Sequence, residues 1–285
     1  MYETITYIQR VLAPLYPPEE IRSLTGLILE KCCNLSRSRQ IFCKDRQLSA
    51  LQKKSVHAIV ERLKNAEPIQ YVFGETEFYG LTFEVTPAVL IPRPETEELV
   101  HRIIQDMKRL KHDKISMLDI GTGSGCIAVA LAKNIPSANV YALDISEDAL
   151  VVAKKNAQKN VVNVRFLQAD IFSHDIDNLS QLPNFDLIVS NPPYVTVSEK
   201  ASLHPNVLNY EPQTALFVPD NDPIIFYLRI ASFSLNKLNL NGLMYFEINA
   251  AFSDTISRML AQQGYREIET IHDLSGKERF IKARK

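Results

Sequence analysis

No apolar run in this 285-residue chain approaches the roughly 20 residues needed to cross a bilayer. The amino terminus, Met1-Tyr2-Glu3-Thr4-Ile5, lacks a basic segment followed by an apolar one, so no secretory signal is expected. Cysteine is scarce. Cys32, Cys33, Cys43 and Cys126 form neither a disulfide framework nor zinc-ligand spacing, and the adjacent Cys32 and Cys33 suit neither a Cys-x-x-Cys redox pair nor a chelate. The 6 histidines are scattered away from cysteines and carboxylates, so no metal is expected. Repeats and low-complexity segments are missing as well. These absences predict a globular protein of the reducing cytoplasm, with no membrane association.

An excess of one charge sign is missing only on average. The net charge of −1 combines 11 Lys/Arg against 7 Asp/Glu over residues 1–70 with 21 against 26 over the remainder. Between Lys31 and Lys64 the balance is 9 against 2, which reads as a solvated helical face ahead of a patch for nucleic acid or a ribosomal partner. With 46% apolar and 23% charged residues, the chain can bury one large core or two smaller ones.

The first 70 residues are predicted to be helical. Ile5, Ile8, Leu12 and Leu15 recur at helical spacing until Pro17-Pro18, and Glu19 and Glu20 then open a second helix through Leu24, Leu27 and Ile28. Leu48, Leu51, Val56, Ile59, Val60 and Leu63 mark at least one more, which Pro68 closes. Residues 71–95 change character: Tyr71–Gly74 and Leu81–Val85 are rich in β-formers, with a turn signal at Gly80, and predict a hairpin linker. Thr96 or Glu95 then opens a helix through Leu99, Ile103 and Ile104.

From Ile115 onward strands and helices alternate. Strands are expected at Ile115–Ile120, Asn139–Ile145, Val164–Ala169, Phe185–Ser190, Gly242–Ile248, Glu267–His272 and Arg279–Ala283. Helices are expected at Cys126–Lys133, Glu147–Lys159, Ile224–Asn236 and Ala251–Gln263. The last two strands can pair as an antiparallel hairpin across Leu274–Lys277. The expected architecture is α/β: a doubly wound, mostly parallel seven-stranded sheet over residues 96–285, joined through the 71–95 hairpin to a small helical domain at 1–70.

Two stretches carry chemistry. Asp119-Ile120-Gly121-Thr122-Gly123-Ser124-Gly125 lies between the first strand of the sheet and its helix, where glycines allow a tight turn and close backbone approach to a ligand. Asp144 ends the next strand, placed to accept hydrogen bonds from ribose hydroxyls, and Asp170 ends the third, close to where an adenine ring would sit. A nucleotide-type cofactor is therefore expected. The Gly-x-Gly-x-Gly spacing after Asp119 differs from the dinucleotide pattern and resembles the S-adenosylmethionine loop of class I methyltransferases, where the acidic residue lies near the methionine portion. A sulfonium cation also suits nearby carboxylates better than a pyrophosphate would.

The second stretch, Asn191-Pro192-Pro193-Tyr194, follows the fourth strand on the same edge. It reads either as a strand end with a turn signal or as a rigid substrate grip. An amide nitrogen is a poor nucleophile because its lone pair is delocalised. The Asn191 side-chain oxygen and the Pro192 carbonyl can accept its two N–H groups, and Tyr194 can stack on a planar group. The motif resembles that of methyltransferases acting on planar nitrogens.

Phe78–Phe83, Val89-Leu90-Ile91-Pro92-Arg93-Pro94-Glu95-Thr96-Glu97 and Tyr210-Glu211-Pro212-Gln213-Thr214-Ala215-Leu216 resemble the peptide chain release factor glutamine methyltransferases (the HemK/PrmC family), and the resemblance runs from about Tyr71 to the carboxyl end. It implies an enzyme that uses S-adenosyl-L-methionine, releases S-adenosyl-L-homocysteine, and methylates the glutamine of the Gly-Gly-Gln motif in class 1 release factors; a monomer is expected. No stable nucleic-acid partner is implied, and residues 1–70 become a substrate-docking domain. The cofactor set implied is Asp119, Gly121, Thr122, Gly123, Ser124, Gly125, Asp144, Asp170, Ile171 and Asn191. Asn191, Pro192, Pro193 and Tyr194 bind the substrate, with Asn191, Pro192 and Tyr194 catalytic. A related ribosomal-protein glutamine methyltransferase typically carries Pro-Arg-Ser-Pro where this chain has Pro92-Arg93-Pro94-Glu95. Ile171 departs from relatives with an aromatic residue there. Arg93 and Glu95 fit either a salt-linked turn or closure over the cofactor. The competing classes are an adenine-N6 nucleic-acid methyltransferase, which should show a strongly basic carboxyl-terminal domain, and a non-catalytic cofactor-binding protein, which has no need of two amide acceptors.

Overall fold

The computed structural model describes residues 1–42, 46–110, 114–173, 176 and 182–285. Cys43 and Lys44, parts of the cysteine set and the basic run, lie outside the described residues. The rest forms two compact units, Met1–Phe73 with His204–Tyr210, and Gly74–Leu203 with Glu211–Lys285.

The first unit is helical: α1 (Tyr2–Leu12), α2 (Pro18–Cys33), α3 (Arg37–Phe42), α4 (Ala50–Leu63) and α5 (Ile69–Phe73). Ile8 and Leu12 of α1, Leu24 and Ile28 of α2, and Val56, Val60 and Leu63 of α4 are buried in one core, as their helical spacing requires. Pro18 occupies the first turn of α2, where its missing N–H is no loss, with Glu19 and Glu20 beside it. Ser49 and Gln52 form a reciprocal capping box at the start of α4. Tyr71–Phe73, read from the sequence as strand, instead completes α5, because Pro68 starts a new helical turn by accepting from the Val72 amide at 3.0 Å.

The second unit begins with the hairpin β1 (Glu75–Phe78) and β2 (Leu81–Glu84), whose two turn residues Tyr79 and Gly80 have φ of 51° and 71°. There follow α6 (Pro94–Leu110), β3 (Ile115–Ile120), α7 (Cys126–Asn134), β4 (Ala138–Asp144), α8 (Glu147–Lys159), β5 (Val164–Gln168), β6 (Phe185–Ser190) and the short β7 (Val195–Thr196). After α9 (Pro205–Tyr210), which belongs to the first unit, come β8 (Phe217–Val218), α10 (Ile225–Lys237), β9 (Leu238–Glu247), α11 (Ser253–Gln263), β10 (Arg266–His272) and β11 (Glu278–Arg284). Helix α6 opens on Pro94, two residues before Thr96.

Seven strands form one sheet in the order β10-β11-β9-β6-β3-β4-β5. The pairs from β9 to β5 are parallel, and β11 is antiparallel to both its neighbours. Alternation along the strands divides the core into two layers. Met117, Val140, Leu187, Val189, Leu243 and Tyr245 point to the side of α6 and α7. Leu118, Tyr141, Leu143, Ile188, Met244 and Phe246 point to the side of α10 and α11. Both faces are covered, which is why these strands read as continuous apolar runs. Among the described residues no helix is long and apolar enough to cross a membrane.

Candidate active site

Along one edge of the sheet, Ser190 pairs with Ile120, Ile120 with Leu143, and Asp144 with Gln168, so the carboxyl ends of β6, β3, β4 and β5 stand in succession, about 4.8 Å apart. The chain lays down β3, β4 and β5 in one direction and then places β6 on the other flank of β3. That reversal makes the β3/β6 boundary a topological switch point, the place where open α/β sheets bind ligands. Gly121 and Asn191 follow the two strands that flank it, and Ser190 Oγ ties them by donating to the Ile120 carbonyl at 2.6 Å.

The glycine loop is held by its neighbours. The amides of Gly121 and Thr122 both donate to the Leu143 carbonyl at 2.9 Å. Gly121 and Gly123 have φ of 74° and 54°, and a Cβ added at either would meet no atom within 4 Å. They leave an open cradle in a backbone conformation that side chains resist. Thr122 and Ser124 are buried.

Two carboxylates face this loop. Asp119 is 1% exposed; its Oδ2 accepts from Thr122 Oγ1 at 2.6 Å, and Oδ1 has no hydrogen-bond partner. Burial raises its carboxyl to about 7, against the Thr122 hydrogen bond and the nearby Ala128 amide, with the Asp144 charge pushing the same way as burial. Asp144 accepts from the Gly123 amide on Oδ2 at 2.8 Å and from the Ser146 amide on Oδ1 at 2.9 Å. Burial moves it upward too, opposed by these amides.

Asp170 turns the chain after β5, accepting from the Phe172 amide at 2.8 Å. Ile171 is buried in the core layer of α10 and α11, whereas Phe172 is 40% exposed and edge-on to Phe226, ring centroids 5.0 Å apart. The exposed aromatic residue thus comes one position later than Ile171.

Around Asn191 the structure assembles a network. Asn191 Nδ2 donates to Thr96 Oγ1 at 3.3 Å, Thr96 Oγ1 donates to Glu247 Oε2 at 2.7 Å, and the Tyr194 hydroxyl donates to Glu247 Oε1 at 3.1 Å. Glu247 is 1% exposed at the end of β9. Burial raises its carboxyl, while the two hydroxyl donors and the Arg279 charge act downward. Tyr194 is raised by burial first and by Glu247 second. Pro192 is buried, and the Asn249 amide reaches the Tyr194 carbonyl at 3.3 Å.

Sequence reasoning missed Glu247 and Asn156. Asn156, fully buried on α8, donates to the Ser124 carbonyl at 2.9 Å and to the Glu84 carbonyl at 3.0 Å, and accepts from the Glu84 amide at 2.6 Å. It pins the glycine loop to β2. A buried amide inside a helical pattern was the available signal, since such a group must find partners. Arg93 pairs with Glu211 at 2.6 Å rather than with Glu95, and Glu211 Oε2 also accepts from the Ile91 amide at 3.2 Å. Cys126 is buried, with its thiol pushed up to about 12. Among the described residues no group of three His, Cys, Asp or Glu could hold a metal ion.

Comparison with known proteins agrees with this arrangement. A family model described as "Methyltransferase domain" matches residues 111–277, and one described as "PrmC N-terminal domain" matches residues 3–74. A methyltransferase of Pyrococcus furiosus has a similar fold, with a TM-score of 0.51 and 18% identity over 72% of this chain and 89% of its own. The mixed seven-stranded sheet and the matching domain define a Rossmann-like, class I methyltransferase. The release factor glutamine methyltransferase of Bacteroides thetaiotaomicron is 46% identical over 99% of both chains. That of Flavobacterium psychrophilum is 42% identical over 97% of this chain and 96% of its own. The chain belongs to the release factor glutamine methyltransferase family.

Proposed function

We propose that this enzyme methylates the side-chain amide nitrogen of the glutamine in the Gly-Gly-Gln motif of class 1 peptide chain release factors, in the cytoplasm, and so supports translation termination. The observation that carries the reading is the amide of Asn191, fixed by Thr96 beside the switch point and one strand from the glycine cradle. Full-length similarity to two proteins named for this activity supports the substrate class.

The residues present fit S-adenosyl-L-methionine. The cradle at Gly121 and Gly123 is open, Asp119 Oδ1 is a buried acceptor with no partner, and Asp144 presents a second carboxylate at the end of β4. Asp119, Gly121 to Gly125 and Asp144 would hold it, with Asp170 bordering the base. When bound, the cofactor supplies an electrophilic methyl group on a cationic sulfonium and leaves as S-adenosyl-L-homocysteine.

The chain's own groups do the rest. Asn191 Oδ1 and the Pro192 carbonyl accept the two N–H groups of the substrate amide, which orients the nitrogen and favours positive charge on it. The rigid Pro192-Pro193 backbone keeps the two acceptors apart. Tyr194, its hydroxyl held by Glu247, offers its ring to the planar amide. Transfer then depends on alignment, and the amide nitrogen releases its proton to water afterwards, without a dedicated base. The helical unit, basic between Lys31 and Lys64, is assigned to docking the protein substrate.

The test is competition: isotopically labelled cofactor, a purified class 1 release factor and duplex DNA in one reaction. Label on the release factor is the expected result. Label on adenine, or on neither, overturns the proposal.

A further inference from the structure

An acceptor is useful only if it faces the right way, and an asparagine amide has two faces of opposite polarity. Asn191 Nδ2 spends its hydrogen bond on Thr96 Oγ1, which leaves Oδ1 on the opposite side of the amide. Thr96 can receive that bond because its single hydroxyl hydrogen is committed elsewhere, to Glu247 Oε2. Glu247, when ionised, can only accept. The direction of the whole chain of hydrogen bonds is therefore set at its inner end, by a carboxylate 1% exposed at the end of β9. The same carboxylate receives the Tyr194 hydroxyl on its other oxygen. One buried group thus governs the polarity of the Asn191 amide and the placement of the Tyr194 ring.

We infer that Glu247 is a positioning residue: acting through Thr96, it holds Asn191 with Oδ1 turned to the substrate amide, and acting through the phenol it holds Tyr194. The inference rests on the reading that Asn191 accepts from the substrate. Thr96 and Glu247 themselves touch neither substrate nor cofactor in this scheme. The arrangement accounts for a buried carboxylate that ends the apolar run 243–246 of β9 and has no structural salt bridge of its own among the described residues. A strand end needing only packing would carry an aliphatic residue there.

Three isosteric or near-isosteric variants test the chain. Thr96→Val keeps the shape and removes the relay. Thr96→Ser keeps the hydroxyl and removes a methyl. Glu247→Gln keeps the volume and gives Thr96 an amide that can donate as well as accept, so the polarity is no longer imposed. Each is measured for kcat on a release factor, for cofactor dissociation by calorimetry, and for melting temperature to establish folding.

Thr96→Val and Glu247→Gln should each lower kcat by about 10- to 100-fold, less than the roughly 100- to 1000-fold of deleting a directly contacting oriented group because Asn191 itself remains, with cofactor affinity unchanged within about twofold. The double variant should be no worse than the poorer single, because both cut one chain. Thr96→Ser should recover most of the activity. Wild-type kcat in a folded Thr96→Val or Glu247→Gln protein overturns the inference, as does a Thr96→Ser protein as impaired as Thr96→Val, which would indicate packing. Asn191→Ala separates the two levels: if it turns over normally, the proposed function of Asn191 falls first; if it is inactive while Thr96→Val is normal, the positioning role alone falls.

Discussion

Replacing Asp119 with asparagine should stabilise the folded protein at alkaline pH and destabilise its complex with cofactor. The folded carboxyl titrates at about 7 against an ordinary 3.8. A difference of about 3 units, at roughly 1.4 kcal/mol each, makes the ionised form cost about 4 kcal/mol in the folded state. Between those two values the folded protein holds a proton that the unfolded chain has lost, so this group lowers stability as pH rises through that window and no further above it. The amide of the Asp119→Asn variant does not titrate. It does bury an N–H₂ where Oδ1 now lacks a partner, which costs roughly 1–2 kcal/mol at every pH. The net expectation is a gain of about 2 kcal/mol at pH 8, and near parity at pH 5, where the wild-type cost has fallen to roughly 2 kcal/mol. Urea unfolding followed by circular dichroism at both pH values reads this directly. A stability difference between the two proteins that is the same at pH 5 and pH 8 refutes the reasoning. Calorimetry on the same variant should show cofactor affinity reduced about tenfold or more, because a buried unpaired acceptor is lost.

Asp144→Ala should weaken cofactor binding by about 1–3 kcal/mol, the loss of charge-assisted hydrogen bonds, and unchanged affinity by calorimetry would remove Asp144 from the site. Asn156→Ala releases the Ser124 carbonyl and both backbone groups of Glu84. It should cost roughly 2–4 kcal/mol of stability, seen as a lower urea midpoint, with an unaltered midpoint contradicting the pinning role. Arg93→Ala leaves Glu211, whose side chain is 1% exposed, with only the Ile91 amide. Because Arg93 itself is 31% exposed, the expected loss is about 2 kcal/mol, below that of a fully buried pair; Glu211→Gln in the Arg93→Ala background should recover part of it.

Much of the second unit was legible in the sequence because its information is local. β3 and β6 are apolar runs bounded by turn residues, and their ends fall where the pattern places them. The glycine loop and Asp144 could be placed because each adjoins a strand end. The hairpin was legible in its second strand and turn but not its first. Tyr71-Val72-Phe73 has β-formers and no period, and Pro68 proved to open a helix rather than only close one. β7, β8 and α9 are too short to leave a periodic trace. The inner support of the site was illegible for another reason. Thr96 and Glu247 lie 151 residues apart, and Asn156 and Glu84 lie 72 apart. Such pairs have no spacing rule to betray them. The Arg93 partner likewise lies 118 residues away, at Glu211, rather than two residues away at Glu95.

The most direct test of the central claim is to locate the transferred methyl group. A class 1 release factor, incubated with this enzyme and S-adenosyl-L-methionine, is digested and mapped by tandem mass spectrometry, beside a reaction with a folded, cofactor-binding Asn191→Ala protein. A single methyl group on the side-chain nitrogen of the Gly-Gly-Gln glutamine, absent from the variant reaction, is the predicted result. A methyl group on any other residue, or an equal yield from the Asn191→Ala protein, would contradict it.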